Sequence, residues 1–157
     1  MKSRLPATTT PSSSARPRRR RAAAGFAMKM DVTIPARVTA ITPLVDAVMT
    51  AVRQRAATKE LEIETALREA LANAIKHGCS SDPTKFVQCS VVFEDDSSVL
   101  IVVRDPGPGF DAKQLPDPTE GEHLYENHGR GIYLISHLMD EVRFRRGGAE
   151  IHMRSRW

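Results

Sequence analysis

Met30-Asp31-Val32-Thr33-Ile34-Pro35 alternates apolar and polar side chains, the period of a half-buried strand, and the proline ends it. Leu44, Val45, Val48, Met49 and Val52 then recur at helical spacing through about Ala56. Thr58 is placed to cap a second helix that runs from Lys59 to His77 and stops at Gly78. Phe86 to Phe93 and Ser98 to Arg104 are β-branched runs separated by the polar turn Glu94-Asp95-Asp96-Ser97, the pattern of a hairpin. Helical periodicity is then lost from Asp111 to His128, where Pro116, Pro118 and Gly121 forbid a long helix and suggest a movable flap. It resumes at Gly129, with Ile132, Ile135, Leu138 and Met139 on one face, and two short strands close the chain around Gly147-Gly148. The order β-α-α-β-β-loop-α-β-β predicts an α/β (α+β) two-layer sandwich, with a mixed, mostly antiparallel sheet covered by helices on one face.

The 157 residues suit a single domain, and 41% hydrophobic with 27% charged residues is ordinary for a globular chain. No apolar run approaches the ~20 residues that a membrane-spanning helix needs. The net charge of +4 is unevenly spread: residues 1–30 hold 8 of the 23 basic residues and no acid, which leaves 15 basic against 19 acidic in the remainder. The basic character therefore belongs to a tail, and no nucleic-acid contact by the folded part is expected from it. That tail, residues 1–29, has almost no large apolar side chains and is expected to be disordered, with one domain over residues 30–157. Its arginine run is followed by too short an apolar stretch for an export signal, so a cytoplasmic location is expected. Cys79 and Cys89 form no C-x-x-C pair and read as reduced, partly buried thiols, and the five histidines show no zinc-ligand spacing.

Three segments carry chemistry. On the second predicted helix Glu69, Asn73 and His77 are four apart and stack along one face, while Ile63, Leu67, Ala70, Leu71 and Ala74 form the apolar stripe. An asparagine oxygen is a ligand that Mg²⁺ accepts beside water and phosphate, and a glutamate one turn earlier can take a proton. Such a spacing by itself also fits a plain solvated face. The second segment, Asp105-Pro106-Gly107-Pro108-Gly109-Phe110, follows a predicted strand; its glycines admit a flat ligand, and a carboxylate can accept from the exocyclic amine of adenine. Gly107 to Ala112 also satisfies the dinucleotide-binding pattern G-x-G-x-x-G/A, but that motif needs a helix directly after it, which Pro116 and Pro118 deny. The third, His128-Gly129-Arg130-Gly131-Ile132, opens a helix whose free N–H groups can bind phosphate oxygens.

In this order and on these elements the segments resemble the N, G1 and G2 boxes of the ATPase superfamily shared by gyrase and the histidine kinases. The stretch Glu69-Ala70-Leu71-Ala72-Asn73-Ala74-Ile75-Lys76-His77-Gly78, in so compact a chain, is similar to that of the bacterial anti-sigma factor and serine-protein kinase family. The resemblance implies a Bergerat-type fold that binds ATP and Mg²⁺. Asn73 would hold the cation, Asp105 would contact adenine, and Gly107, Gly109 and Phe110 would shape the base pocket. Gly129, Arg130, Gly131 and Ile132 would wrap the phosphates, with Lys76 and His77 beside them, and Glu69 would be the general base. It further implies a homodimer whose partners are a sigma factor and an anti-anti-sigma protein phosphorylated on serine. An ATP-gated module that binds without phosphorylating is the alternative.

Overall fold

The computed structural model describes residues 28–94, 97–110 and 129–157. The expected tail up to residue 27 and the expected flap over residues 111–128 lie outside the described residues. Strand β1 spans Lys29–Pro35, helix α1 Ile41–Arg55, helix α2 Glu60–Asn73, strands β2 and β3 Phe86–Glu94 and Ser98–Arg104, helix α3 Gly129–Leu138, and strands β4 and β5 Glu141–Arg145 and Glu150–Arg156. This is the element order that the hydrophobic pattern predicts.

The five strands lie in the order β1-β2-β3-β5-β4. Each neighbouring pair is antiparallel, so the described sheet contains none of the parallel pairing that a mixed sheet would allow. Its registers put Val87, Cys89, Val91 and Phe93 of β2, Val99, Ile101 and Val103 of β3, and Ile151 and Met153 of β5 on one buried face. The helices cover that face: Leu44, Val45, Val48, Met49 and Val52 of α1 and Ile63, Leu67 and Leu71 of α2 are buried in the same core. Strict alternation on the strands and 3.6-residue periodicity on the helices thus meet in one apolar layer. Both cysteines, Cys79 and Cys89, are free and fully enclosed by it, more deeply than the partial burial expected from the sequence.

Both ends of α2 differ from the sequence expectation. Ala57–Lys59 forms a 3₁₀ turn, and α2 starts at Glu60 without any side-chain cap, so Thr58 does not cap it. Glu60 and Glu62 instead place negative charge in the first turn, where the helix dipole favours it. At the other end the regular helix stops at Asn73, and Ala74–Gly78 is a π turn closed by the Cys79 N–H donating to the Ala74 carbonyl at 2.8 Å. The Ser81 N–H donates to Ile75 O at 2.9 Å, with Ser80 and Ser81 both at φ 55°. A π turn inserts an extra residue and redirects the chain, and such insertions favour functional positions.

The other sheet face carries a network of charged side chains beside the apolar Val92, Leu100 and Val102. Glu150, only 6% exposed, accepts from Arg104 at 2.5 Å and is bonded to His152 Nε2 at 2.5 Å. Burial alone would raise the pKa of Glu150, but the hydrogen bonds from His152 and Arg104 together hold it below the usual glutamate range. A lowered native pKa means stability that is present above the ordinary glutamate value and lost as pH falls through the native one. Glu150→Gln is expected to destabilise the fold by about 2 kcal/mol at neutral pH, because Arg104 loses its anion. In urea titrations the gap between variant and parent should close as the pH is taken below the glutamate range.

Candidate functional site

The size of the side chains on α2 opens a space in the core layer. Ile63, Leu67 and Leu71 fill the core, whereas Ala70 and Ala74 line a cavity of about 350 Å³ between α2, α3 and the sheet. Cavities of roughly 300–1,000 Å³ are the size that small ligands occupy. Val103 of β3 pairs with Ile151 of β5, and both line the cavity, as do Ile132 and Ile135 of α3. Phe110 and Phe144 complete the apolar wall, edge to face with centroids 5.1 Å apart. Among the described residues the ionisable side chains of the lining are Asp105 and His77, and the amide of Asn73 lines it as well.

Asp105 is placed by backbone. Its N–H donates to Ala149 O at 3.1 Å, which ties the end of β3 to the start of β5. The Gly107 N–H donates back to Oδ1 at 2.8 Å. Burial pushes the Asp105 carboxyl above the ordinary aspartate range, and the Gly107 hydrogen bond offsets this only in part. Beyond it, the Phe110 N–H donates to Gly147 O at 2.7 Å, and Gly109 at φ 76° has that same carbonyl packed where a Cβ would stand. The G1-like loop is therefore closed against the β4–β5 turn.

The opposite end of the cavity is formed where α2 meets α3. A Cβ on Gly131 would stand 2.9 Å from Glu69 Oε2 and 3.1 Å from Asn73 Nδ2. The first turn of α3 can lie directly on this polar pair because residue 131 has no side chain. Its backbone amides, left without intrahelical partners, are the kind of group that binds phosphate.

Of the residues singled out from the sequence, Asn73, His77, Asp105, Gly109, Phe110 and Ile132 line the cavity together. Gly107 lies beneath Asp105, and Gly131 rests on Glu69 and Asn73. Glu69 itself stands at that contact and outside the lining. Lys76 and Arg130 are exposed and also outside it, and Gly129 is the first residue of α3. The lining also includes residues that sequence reasoning missed, chiefly Gly78, Phe144, Ala149 and Ile151. For Ala149 and Ile151 the signal lies in the pairing of β3 with β5, a long-range register that no local pattern carries, and Phe144 joins them through its pairing with Ile151 in β4–β5.

The comparisons with known proteins agree with this geometry. A family described as "Histidine kinase-like ATPase domain" matches residues 34–155, a span that runs from the end of β1 almost to the end of β5 and takes in all three helices. Among curated proteins the chain is similar to the anti-sigma F factor of Geobacillus stearothermophilus, 41% identical over 90 residues, covering 54% of this chain and 60% of that one. The anti-sigma F factor of Priestia megaterium is 37% identical over 86 residues, covering 52% and 57% respectively. That of Heyndrickxia coagulans is 36% identical over 83 residues, covering 50% and 55%. The matches thus span somewhat more than half the length of these relatives. With a family match across most of its length and the three motif segments gathered around one cavity, this chain belongs to the histidine kinase-like ATPase domain family.

Proposed function

We propose that the protein is an anti-sigma factor with serine-protein kinase activity, which transfers phosphate from ATP to a serine of an anti-anti-sigma partner and alternately sequesters a sigma factor. The observation that supports this most is the cavity itself. Among the described residues the Asp105 carboxylate and the Asn73 amide both face an apolar slot, and just outside its lining Glu69 and Asn73 meet the first turn of α3 at Gly131. The names of the similar proteins support the regulatory half of the reading. The same reading takes the protein to be cytoplasmic and homodimeric, with protein partners in place of nucleic acid. Among the described residues no helix is long and apolar enough to cross a membrane.

In this reading Asp105 accepts a hydrogen bond from the exocyclic amine of adenine, while Val103, Ile151, Phe110 and Phe144 hold the flat base. His77 and the Gly107–Gly109 loop complete the pocket, and the amides of Gly129 to Ile132 face the phosphates. Lys76 and Arg130, exposed cations on the two elements that carry Asn73 and Gly131, are assigned to phosphate charge. Asn73 offers one oxygen to Mg²⁺. Among the described residues no group of three His, Cys, Asp or Glu could hold a metal, so the remaining ligands would come from phosphate and water. Bound in this way, Mg²⁺ would neutralise charge on the transferred phosphoryl group. Glu69 takes the proton of the serine hydroxyl as its oxygen bonds to phosphorus and the bond to the departing ADP oxygen breaks.

Glu69 stands outside the cavity lining, which favours one second reading: an ATP-gated module that grips its partner without phosphorylating it. Glu69→Gln distinguishes the two. In a kinase it should leave calorimetric Mg-ATP affinity within about threefold while phosphate on the partner's serine, measured by mass spectrometry, falls by ~10²-fold or more. Intact complexes with no phosphoserine in the unmodified chain would leave only the module.

Removing the base contact should have the opposite profile. Asp105→Ala is expected to weaken ATP binding about 10- to 100-fold, the value of a hydrogen bond to a charged group. The unmodified protein should also lose affinity as pH falls through the raised pKa of Asp105, starting above the ordinary aspartate range. The sign differs for folding, since a raised carboxyl pKa favours the protonated native state in acid. A binding curve flat to the ordinary aspartate range would remove Asp105 from recognition.

A further inference from the structure

The turn that ends α2 touches Asp105 more closely than any ordinary packing contact allows a side chain to do. A Cβ built on Gly78 would run into the Asp105 carboxylate, meeting Cγ and both oxygens. From the other side, a Cβ on Gly107 would stand 2.8 Å from Asp105 Oδ1 and 2.8 Å from the Gly78 Cα, and would overlap the Gly78 carbonyl. The carboxylate is therefore held between two glycine backbones that lie 29 positions apart in the sequence, and it receives the Gly107 N–H at 2.8 Å. It still reaches the cavity, which Gly78 also lines.

Gly78 owes this position to the π turn. One additional residue in a helical turn rotates every later residue by about 100° around the axis. Continuing α2 as regular helix to His77, as its sequence pattern predicts, would leave Gly78 on a different side. The turn is fixed from behind by the Cys79 N–H to Ala74 O hydrogen bond, by the complete burial of Cys79, and by Ser80 and Ser81 in left-handed backbone. Such local strain persists where the surroundings hold it.

We infer that Gly78 is a specificity-determining positioning residue: its bare Cα is the seat that aims the Asp105 carboxylate at an amine donor on the purine. This rests on the proposed nucleotide site and assigns to the end of α2 a part in base recognition that Asp105 alone does not explain. Gly78 touches no reacting atom and acts entirely through Asp105. Any side chain there displaces the carboxylate, so discrimination for the amine should disappear even in a chain that still folds.

The test uses the full chain, unmodified and as Gly78→Ala, Asp105→Ala and the double variant, with affinities for Mg-ATP and for the Mg complex of purine riboside triphosphate, which lacks the exocyclic amine. The unmodified chain should prefer ATP by about tenfold or more, as expected for one hydrogen bond to a charged acceptor. Gly78→Ala should reduce that preference to the level of Asp105→Ala, and the double variant should lose nothing further. A folded Gly78→Ala that keeps the full preference overturns the inference while leaving the nucleotide site in place. Failure of the unmodified chain to bind either nucleotide overturns the nucleotide site, and this inference with it. If Gly78→Ala lowers the melting temperature too far for binding work, the double variant decides. With the carboxylate removed, the added methyl has lost its obstacle, and the melting temperature should return to near that of Asp105→Ala. A double variant as unstable as Gly78→Ala overturns the inference.

Discussion

An aspartate carboxylate placed in an apolar cavity constrains everything around it. Solvation lost on burial disfavours its charge, and the compensation comes from backbone: one N–H from Gly107, with the start of β5 fixing the main chain at Asp105. Compensation of this kind requires close approach, so the neighbours at 78 and 107 are glycines. It also requires long-range order, because the carbonyl that accepts from the Asp105 N–H belongs to Ala149, far along the chain. The sheet order β1-β2-β3-β5-β4 meets that requirement by placing β5, and not the more sequence-local β4, beside β3.

The two faces of the sheet divide the work. On the helix face nearly every inward position is apolar, the buried Ser155 hydroxyl of β5 being a polar exception, and room is left where α2 turns from leucine to alanine. On the other face the charges of Arg104, Glu150, His152, Arg154, Glu94 and Glu141 pair with one another across β2, β3, β5 and β4. These pairs are mostly half-exposed and add little individually, apart from the buried Glu150. The polar groups of the cavity are therefore set apart from that network.

Much of this was legible in the sequence because it is local. Alternation gave β1, β-branched runs around a polar turn gave β2 and β3, periodicity gave α1 and α3, and the Gly147-Gly148 pair marked the last turn, all at positions close to the observed ones. Asn73 and Asp105 were legible as site residues because they sit in short motifs whose residue types suit a cation and an amine donor. Legibility stopped where a feature depends on what packs against it. Thr58 looks like a cap, yet a 3₁₀ turn carries the chain past it. Glu69, Asn73 and His77 look like one stacked face, but the π turn breaks the register after Asn73, and Lys76 is left exposed. No periodicity indicates a π turn, which is held by contacts the local pattern does not carry, chiefly the burial of Cys79 in the core. Ile151 and Phe144 escaped notice for the same reason, being ordinary strand residues until β5 pairs with β3 on one side and β4 on the other.

One helix thus serves both ends of the cavity. Glu69 and Asn73 meet the first turn of α3 through Gly131, and five residues after Asn73 the same segment meets Asp105 through Gly78. Because both contacts are made by glycines pressed on side-chain oxygens, neither end has slack that a side-chain rotamer could absorb. A displacement of the α2 terminus therefore moves the Asp105 carboxylate and the Glu69–Asn73 pair together.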